Sequence, residues 1–235
     1  MESHPHLVLF DIDGTLLRSQ GAGIAAMQRT FDELYPGSGA TLKGVPVAGR
    51  LDTLIWNDVM REAGLAASDA EMARFRQRYR AILEERLRGG DVDVVTFPGV
   101  HDLVRRLAAR NDVIVGLLTG NWPDTARLKV EAARFDATHF RLGAYAGDGP
   151  DRRSLPPVAM RRMHEAHGMH PRPERVVIIG DTPHDVDCAK HNGCRALAVA
   201  TGGASLQELH ETNADLVVET LADVEAMERW MVGEA

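Results

Sequence analysis

Asp11 and Asp13 close an apolar run, Leu7-Val8-Leu9-Phe10-Asp11-Ile12-Asp13, and Gly14-Thr15-Leu16 follows at once. Side chains alternate along a strand, so carboxylates two residues apart share a face at its carboxyl end. Two like charges held that close are costly unless a cation lies between them or one is protonated. Either outcome is useful. A carboxylate beside a divalent cation serves as a nucleophile toward phosphorus, and a protonated neighbour serves as general acid and then base. The plainer alternative is a strand followed by an Asp-Gly turn.

Two later segments repeat the pattern of an apolar strand ending in polar groups. Leu117-Leu118-Thr119-Gly120-Asn121 puts a hydroxyl and a glycine at a strand end, where side chain and backbone N–H can both meet a phosphate oxygen. Val176-Val177-Ile178-Ile179-Gly180-Asp181 ends in a carboxylate, and Asp185 follows four residues later at the start of a helix. Asp181 or Thr182 capping that helix is the alternative reading.

These segments resemble the motifs of the haloacid dehalogenase-like hydrolase superfamily, whose first motif is D-x-D-G-T-L and whose last is G-D-x-x-x-D. The resemblance runs over the whole chain. It implies that Asp11 forms an aspartyl-phosphate, that Asp13 protonates the leaving group and later activates water, and that Thr119 holds the transferring phosphate with Gly120 and Asn121 as added donors. It implies Mg²⁺ as cofactor, with Asp11, Asp13, Asp181 and Asp185 as the metal-site residues. The family also places a cation, usually Lys, shortly before the last motif. Here Asp151-Arg152-Arg153-Ser154 stands in that place with no lysine nearby, so Arg152 fits best and Arg153 second. Val47-Ala48-Gly49-Arg50-Leu51-Asp52 is similar to a segment of phosphoglycolate-phosphatase-like members with helical caps. That likeness implies that Arg50 or Asp52 approaches the substrate; capping of a helix by Asp52 is the alternative.

The elements needed to position these residues follow from periodicity. Ala22 to Tyr35 carries helical spacing with Ile24, Met27, Phe31 and Leu34 on one face, Leu51 to Gly64 is a second helix, and Ser68 caps a third that runs to about Leu87. From Phe97 onward strands alternate with helices: Val113 to Leu118 and Val176 to Ile179 are apolar strands of the buried parallel type, with shorter strands near His139–Leu142, Arg195–Ala200 and Leu216–Val218. Helices are expected at about 100–110, 124–135, 157–167 and 183–192, from about Ser205, and from Leu221. Such alternation predicts an α/β fold, a Rossmann-like parallel sheet with helices on both faces. The helical block forms an inserted α-helical cap over residues 17–95, and residues 1–16 with 96–235 form the core.

Composition narrows the partners. The chain has 235 residues, a net charge of −7 and a pI near 5.8, which argue against nucleic acid and acidic membrane surfaces. No apolar stretch approaches a bilayer span, and Met1 to Pro5 lacks the marks of a leader. Cys188 and Cys194 suit free thiols in a reducing cytoplasm better than a disulfide. The expected partner is a small phosphorylated metabolite, in the cytoplasm. Haloacid dehalogenases generally lack the second aspartate, so Asp13 argues against that activity. A phosphonate hydrolase would want a cap lysine, and the block offers Lys43 in a Gly-rich loop. A phosphomutase, or a non-catalytic binding protein of the same fold, remains as an alternative; neither the substrate nor the oligomeric state is legible.

Overall fold

The three strands that end in the candidate residues lie side by side. In the computed structural model, which describes residues 5–90 and 92–233, β1 (His6–Phe10) is followed by β2 (Leu17–Arg18), α1 (Ala22–Leu34), α2 (Asp52–Glu62), α3 (Asp69–Arg88) and β3 (Val95–Thr96). Then come α4 (Val100–Ala108), β4 (Val113–Leu118), α5 (Pro123–Ala132), β5 (Leu142–Ala144), α6 (Leu155–His167) and β6 (Val176–Gly180). The chain continues through α7 (Pro183–His191), β7 (Arg195–Val199), α8 (Leu206–His210), β8 (Leu216–Val218) and α9 (Val224–Val232). Six strands form a parallel sheet in the order β5-β4-β1-β6-β7-β8. Phe10 is in register with Leu117 on one side and Ile179 on the other, so Asp11, Thr119 and Asp181 lie within one residue of the same level at the strand ends.

Alternation explains how the fully apolar strands serve two cores. Leu7 and Leu9 of β1 and Val176 and Ile178 of β6 point into a core on one face. Val8, Phe10, Val177 and Ile179 point into the other, which α4 and α9 cover. The first core continues into α1, α2 and α3, where the Phe31 and Phe75 rings meet tilted at 44°, 4.5 Å between centroids. Trp122, from the loop after β4, inserts among them, 5.8 Å from Tyr79 edge to face. A buried tryptophan in such a cluster typically costs about 3–5 kcal/mol when cut to alanine.

The helical block leaves and re-enters the core through a small antiparallel pair, β2 with β3, in which Leu17 faces Thr96 and Arg18 faces Val95. Two-residue strands carry no periodic signal, and none was expected here. Other boundaries shift for local reasons. Residues 137–139 form a 3-10 turn because the Asp136 carboxylate accepts from the N–H and hydroxyl of Thr138, so the strand expected near His139–Leu142 begins at Leu142 instead. The last helix starts at Val224 rather than Leu221, because Asp223 accepts from the Ala226 N–H. Ile24, expected on the buried face of α1, is 50% exposed and borders the cavity. No helix among the described residues is long and apolar enough to cross a membrane.

Candidate active site

Each strand end contributes one polar group to a common floor. Asp11 follows β1, and its backbone N–H donates to the Ile179 carbonyl at 2.9 Å, which ties it to the neighbouring strand. Thr119 follows β4, its N–H bound to the Ala144 carbonyl at 3.0 Å. Asp181 follows β6. Carboxylate oxygens of Asp11, Asp181 and Asp185 lie within 4.8 Å of one another, and all three residues are buried.

Arg152 is the cation among them. It lies in a one-turn 3-10 segment before α6, is buried, and its Nη2 stands 3.0 Å from Asp11 Oδ2 and 2.5 Å from Asp185 Oδ1. Its Nη1 donates to the Gly49 carbonyl at 3.2 Å, a contact from the core to the helical block. Arg153 points the other way, into an exposed pair with Asp187. The structure therefore brings Arg152, not Arg153, into the cluster.

Asp185 has two functions in the local structure. Its Oδ2 accepts from the N–H and hydroxyl of Thr182 at 3.1 and 2.6 Å, and Thr182 caps α7 in return. The capping reading of this segment thus holds for Thr182, while the other carboxylate oxygen of Asp185 still faces Arg152. Asp181 is held by the Gly203 N–H at 3.2 Å and the Thr15 hydroxyl at 3.4 Å. Two glycines make room for it. A side chain at Gly14, which has φ +83°, or at Gly202 would run into the Asp181 carboxylate.

Three carboxylates against one guanidinium leave two negative charges unbalanced in a buried pocket. Burial, with Asp11 and Asp185 adding like charge, pushes the Asp181 carboxyl up to about 7. Burial also pushes Asp11 up, with Arg152 pulling the other way. An all-oxygen, doubly negative cluster of this kind is what a hard divalent cation requires, so these residues fit Mg²⁺.

Asp13 lies outside that trio. Its Oδ2 is bound by the Asn121 amide at 2.9 Å and by Lys129 Nζ at 2.5 Å. Asn121 also donates to the Thr119 hydroxyl at 2.8 Å and accepts from Lys129 Nζ at 2.7 Å. Asn121 therefore links the strand-end hydroxyl to Asp13. Lys129 escaped the sequence reading. Its signal was there: Trp122, Ala126, Lys129 and Ala133 share helical spacing, which puts a lysine on the buried face of α5.

The Arg50-Leu51-Asp52 segment closes the other side. Arg50 is held by Asp58 at 2.6 Å and by the Pro46 carbonyl at 3.1 Å, so its guanidinium stays within the helical block instead of reaching the strand ends. Asp52 does not cap α2 either; Leu51 holds that position. The Asp52 N–H donates to the Gly120 carbonyl at 2.7 Å and its carboxylate accepts from the Trp122 N–H at 3.2 Å. That pair of bonds staples the block onto the Thr119 loop. Burial pushes the Asp52 carboxyl up to about 7 although Lys129 pulls it down.

The resulting cavity, about 490 Å³, has Asp11, Asp13, Thr119, Arg152 and Asp181 at its floor and Met27, Leu42, Ile55 and Tyr79 on its walls. The profile of the family described as haloacid dehalogenase-like hydrolase matches residues 8–190. The chain belongs to this family. Within it, the chain is an enzyme of the phosphatase type, and its parallel sheet with flanking helices is the family's fold. This hydrolase is 28% identical over 219 residues to the tyrosine-protein kinase PtkA of Mycobacterium tuberculosis, a match spanning 91% of this chain and 68% of that one. It is 27% identical to the phosphoglycolate phosphatase of Chromobacterium violaceum, over 94% of this chain and 95% of that one. Its fold is similar to that of CbbY from Rhodobacter sphaeroides, solved in complex with phosphate, with a TM-score of 0.68 at 19% identity, covering 94% of this chain and 96% of the other. The two cysteines are buried and free, and burial pushes the Cys194 thiol up to about 12.

Proposed function

We propose that this hydrolase cleaves a small phosphate monoester through an aspartyl-phosphate on Asp11, with Mg²⁺ as cofactor. The observation that carries the reading is the buried grouping of Asp11, Asp181 and Asp185 around Arg152, at the ends of adjacent strands. Asp11 is the nucleophile: a carboxylate oxygen forms the bond to phosphorus as the ester oxygen leaves. Asp13, also at the cavity floor, gives its proton to that departing oxygen and takes one from the water that then attacks phosphorus. Thr119 and the N–H groups of Gly120 and Asn121 hold the phosphoryl oxygens, and Arg152 balances their charge. Asp11, Asp181 and Asp185 would hold Mg²⁺, which supplies charge neutralisation at the phosphoryl oxygens when bound.

Residues 17–95 act as the cap, and residues 1–16 with 96–235 as the catalytic core. The cap walls supply mostly apolar surface, so the alcohol part of the ester meets Met27, Leu42, Ile55 and the Tyr79 hydroxyl. A cavity of about 490 Å³ suits a metabolite and not a macromolecule. Likeness to a phosphoglycolate phosphatase supports a small organic monoester. The protein acts in the cytoplasm, consistent with its free thiols. The test is release of inorganic phosphate by the purified protein with Mg²⁺ across a panel containing phosphoglycolate, sugar phosphates, nucleoside monophosphates and pyrophosphate. Turnover of one or more monoesters is expected; no release from any member overturns the reading.

A further inference from the structure

Lys129 is an ammonium group buried beside the cavity, 4% exposed, on the inward face of α5. Burying such a charge without partners is expensive, and here it has two: Asp13 Oδ2 at 2.5 Å and Asn121 Oδ1 at 2.7 Å. The Asn121 amide is itself fixed, because its oxygen accepts a hydrogen bond from Lys129 and its nitrogen must then face Asp13 and Thr119. Asp13 is thus gripped twice, and both grips fall on the same oxygen, Oδ2. Among the described residues no side chain bonds Oδ1. The Asp13 side chain is 44% exposed toward the cavity, so without these bonds its carboxylate would be free to turn.

We propose that Lys129 is a positioning residue for Asp13: with Asn121 it pins Oδ2, so that Oδ1 is the oxygen that exchanges the proton with the leaving group and with water. The inference rests on the phosphatase reading and adds to it a residue outside the four family motifs. Lys129 bonds Asp13 and Asn121 and none of the trio's carboxylates, so it acts through Asp13. The tie matters because a general acid must lie within hydrogen-bond reach of the departing oxygen, and a carboxylate that rotates freely spends little time there. The geometry also links the acid to the phosphate cradle, since Asn121 joins Asp13 to Thr119 in one hydrogen-bonded chain.

The role makes a signature that a merely structural lysine would not. A general acid matters for a poor leaving group and hardly at all for a good one. The experiment compares kcat/KM for an alkyl phosphate and for 2,4-dinitrophenyl phosphate in the Mg²⁺-loaded enzyme, using wild type, Lys129→Met, Lys129→Gln, Asp13→Asn and the Lys129→Met/Asp13→Asn pair. The ratio of the two substrates within one sample is independent of how much protein is folded, so a destabilised variant still reports. Lys129→Met is expected to lose about 100-fold on the alkyl ester and under about 3-fold on the dinitrophenyl ester. Lys129→Gln, which keeps one donor, is expected to fall between Lys129→Met and wild type. The double variant should lose no more than Asp13→Asn alone. A wild-type ratio in both lysine variants, or losses that multiply in the double variant, overturns the proposal. Failure of the wild type to hydrolyse either ester overturns the phosphatase reading instead.

Discussion

Arg152 Nη2 lies 3.0 Å from the Oδ2 of Asp11, and the same nitrogen reaches Asp185 on the far side. One guanidinium thus sets the spacing of two carboxylates that come from β1 and α7. Its neighbour Arg153 spends its charge on Asp187 in solvent, where an ion pair is worth little.

Arg152→Ala is therefore expected to lower kcat/KM at least about 100-fold, and Arg153→Ala less than about 3-fold. Steady-state phosphate release on the best substrate of the panel decides it. The reverse ranking would give the role to Arg153.

Asp11→Asn should cut turnover by more than about 1,000-fold, since an amide is a poor nucleophile. The fold should survive, because the change removes a buried charge that burial already disfavours. The melting temperature of the metal-free variant, taken beside its activity, should match or exceed that of the wild type. Near-normal turnover would remove Asp11 from the mechanism.

EDTA should abolish activity and added Mg²⁺ should restore it, with Mn²⁺ a partial substitute and Ca²⁺ a poor one, because its larger, looser shell tolerates misplacement of the nucleophile. Gly202→Ala, which drives a methyl group into the Asp181 carboxylate, should raise the Mg²⁺ needed for half-maximal rate several-fold. Full activity in EDTA would revive the dehalogenase alternative.

Asp52 makes stability fall with rising pH. Its folded carboxyl is raised to about 7 by burial, against an ordinary value near 3.8, so between those limits the folded state holds a proton that the unfolded state has released. Stability from this group is full below about pH 4 and is lost as pH climbs through about 7. Asp52→Asn has no such titration. Relative to wild type it should gain about 1–4 kcal/mol between pH 5 and pH 8, measured by urea unfolding at both values. A pH-independent difference would mean that Asp52 stays ionised throughout.

The strands that hold Asp11, Thr119 and Asp181 were legible because each is an apolar run that stops at a polar residue, and the parallel sheet followed from their alternation with helices. Arg152 over Arg153 was legible from spacing, but what separates them physically is burial, and adjacent residues give no sign of that. Arg50 and Asp52 both border the cavity, but their bonding partners were not legible. Arg50 pairs with Asp58, two turns along within the same block, and Asp52 reaches the backbone after Thr119 only through the way the block docks. Lys129 was missed because lysine is normally counted with the solvent face. Gly203, which follows β7, meets Asp181 through the fold, and no local pattern in the sequence marks that contact.

β1 occupies the middle of the sheet, yet its two partners are β4 and β6, far along the chain. A ribosome must therefore add roughly 100 residues after Phe10 before the first partner emerges, about 5–20 s at ordinary elongation speeds. Through that interval an apolar strand is exposed with nothing to pair with, while the helices that follow it can already condense on one another. The nascent chain is consequently most in need of chaperone cover between the emergence of β1 and that of β4, and the reactive pocket comes into being only once the segment bearing Asp181 and Gly203 has cleared the exit tunnel.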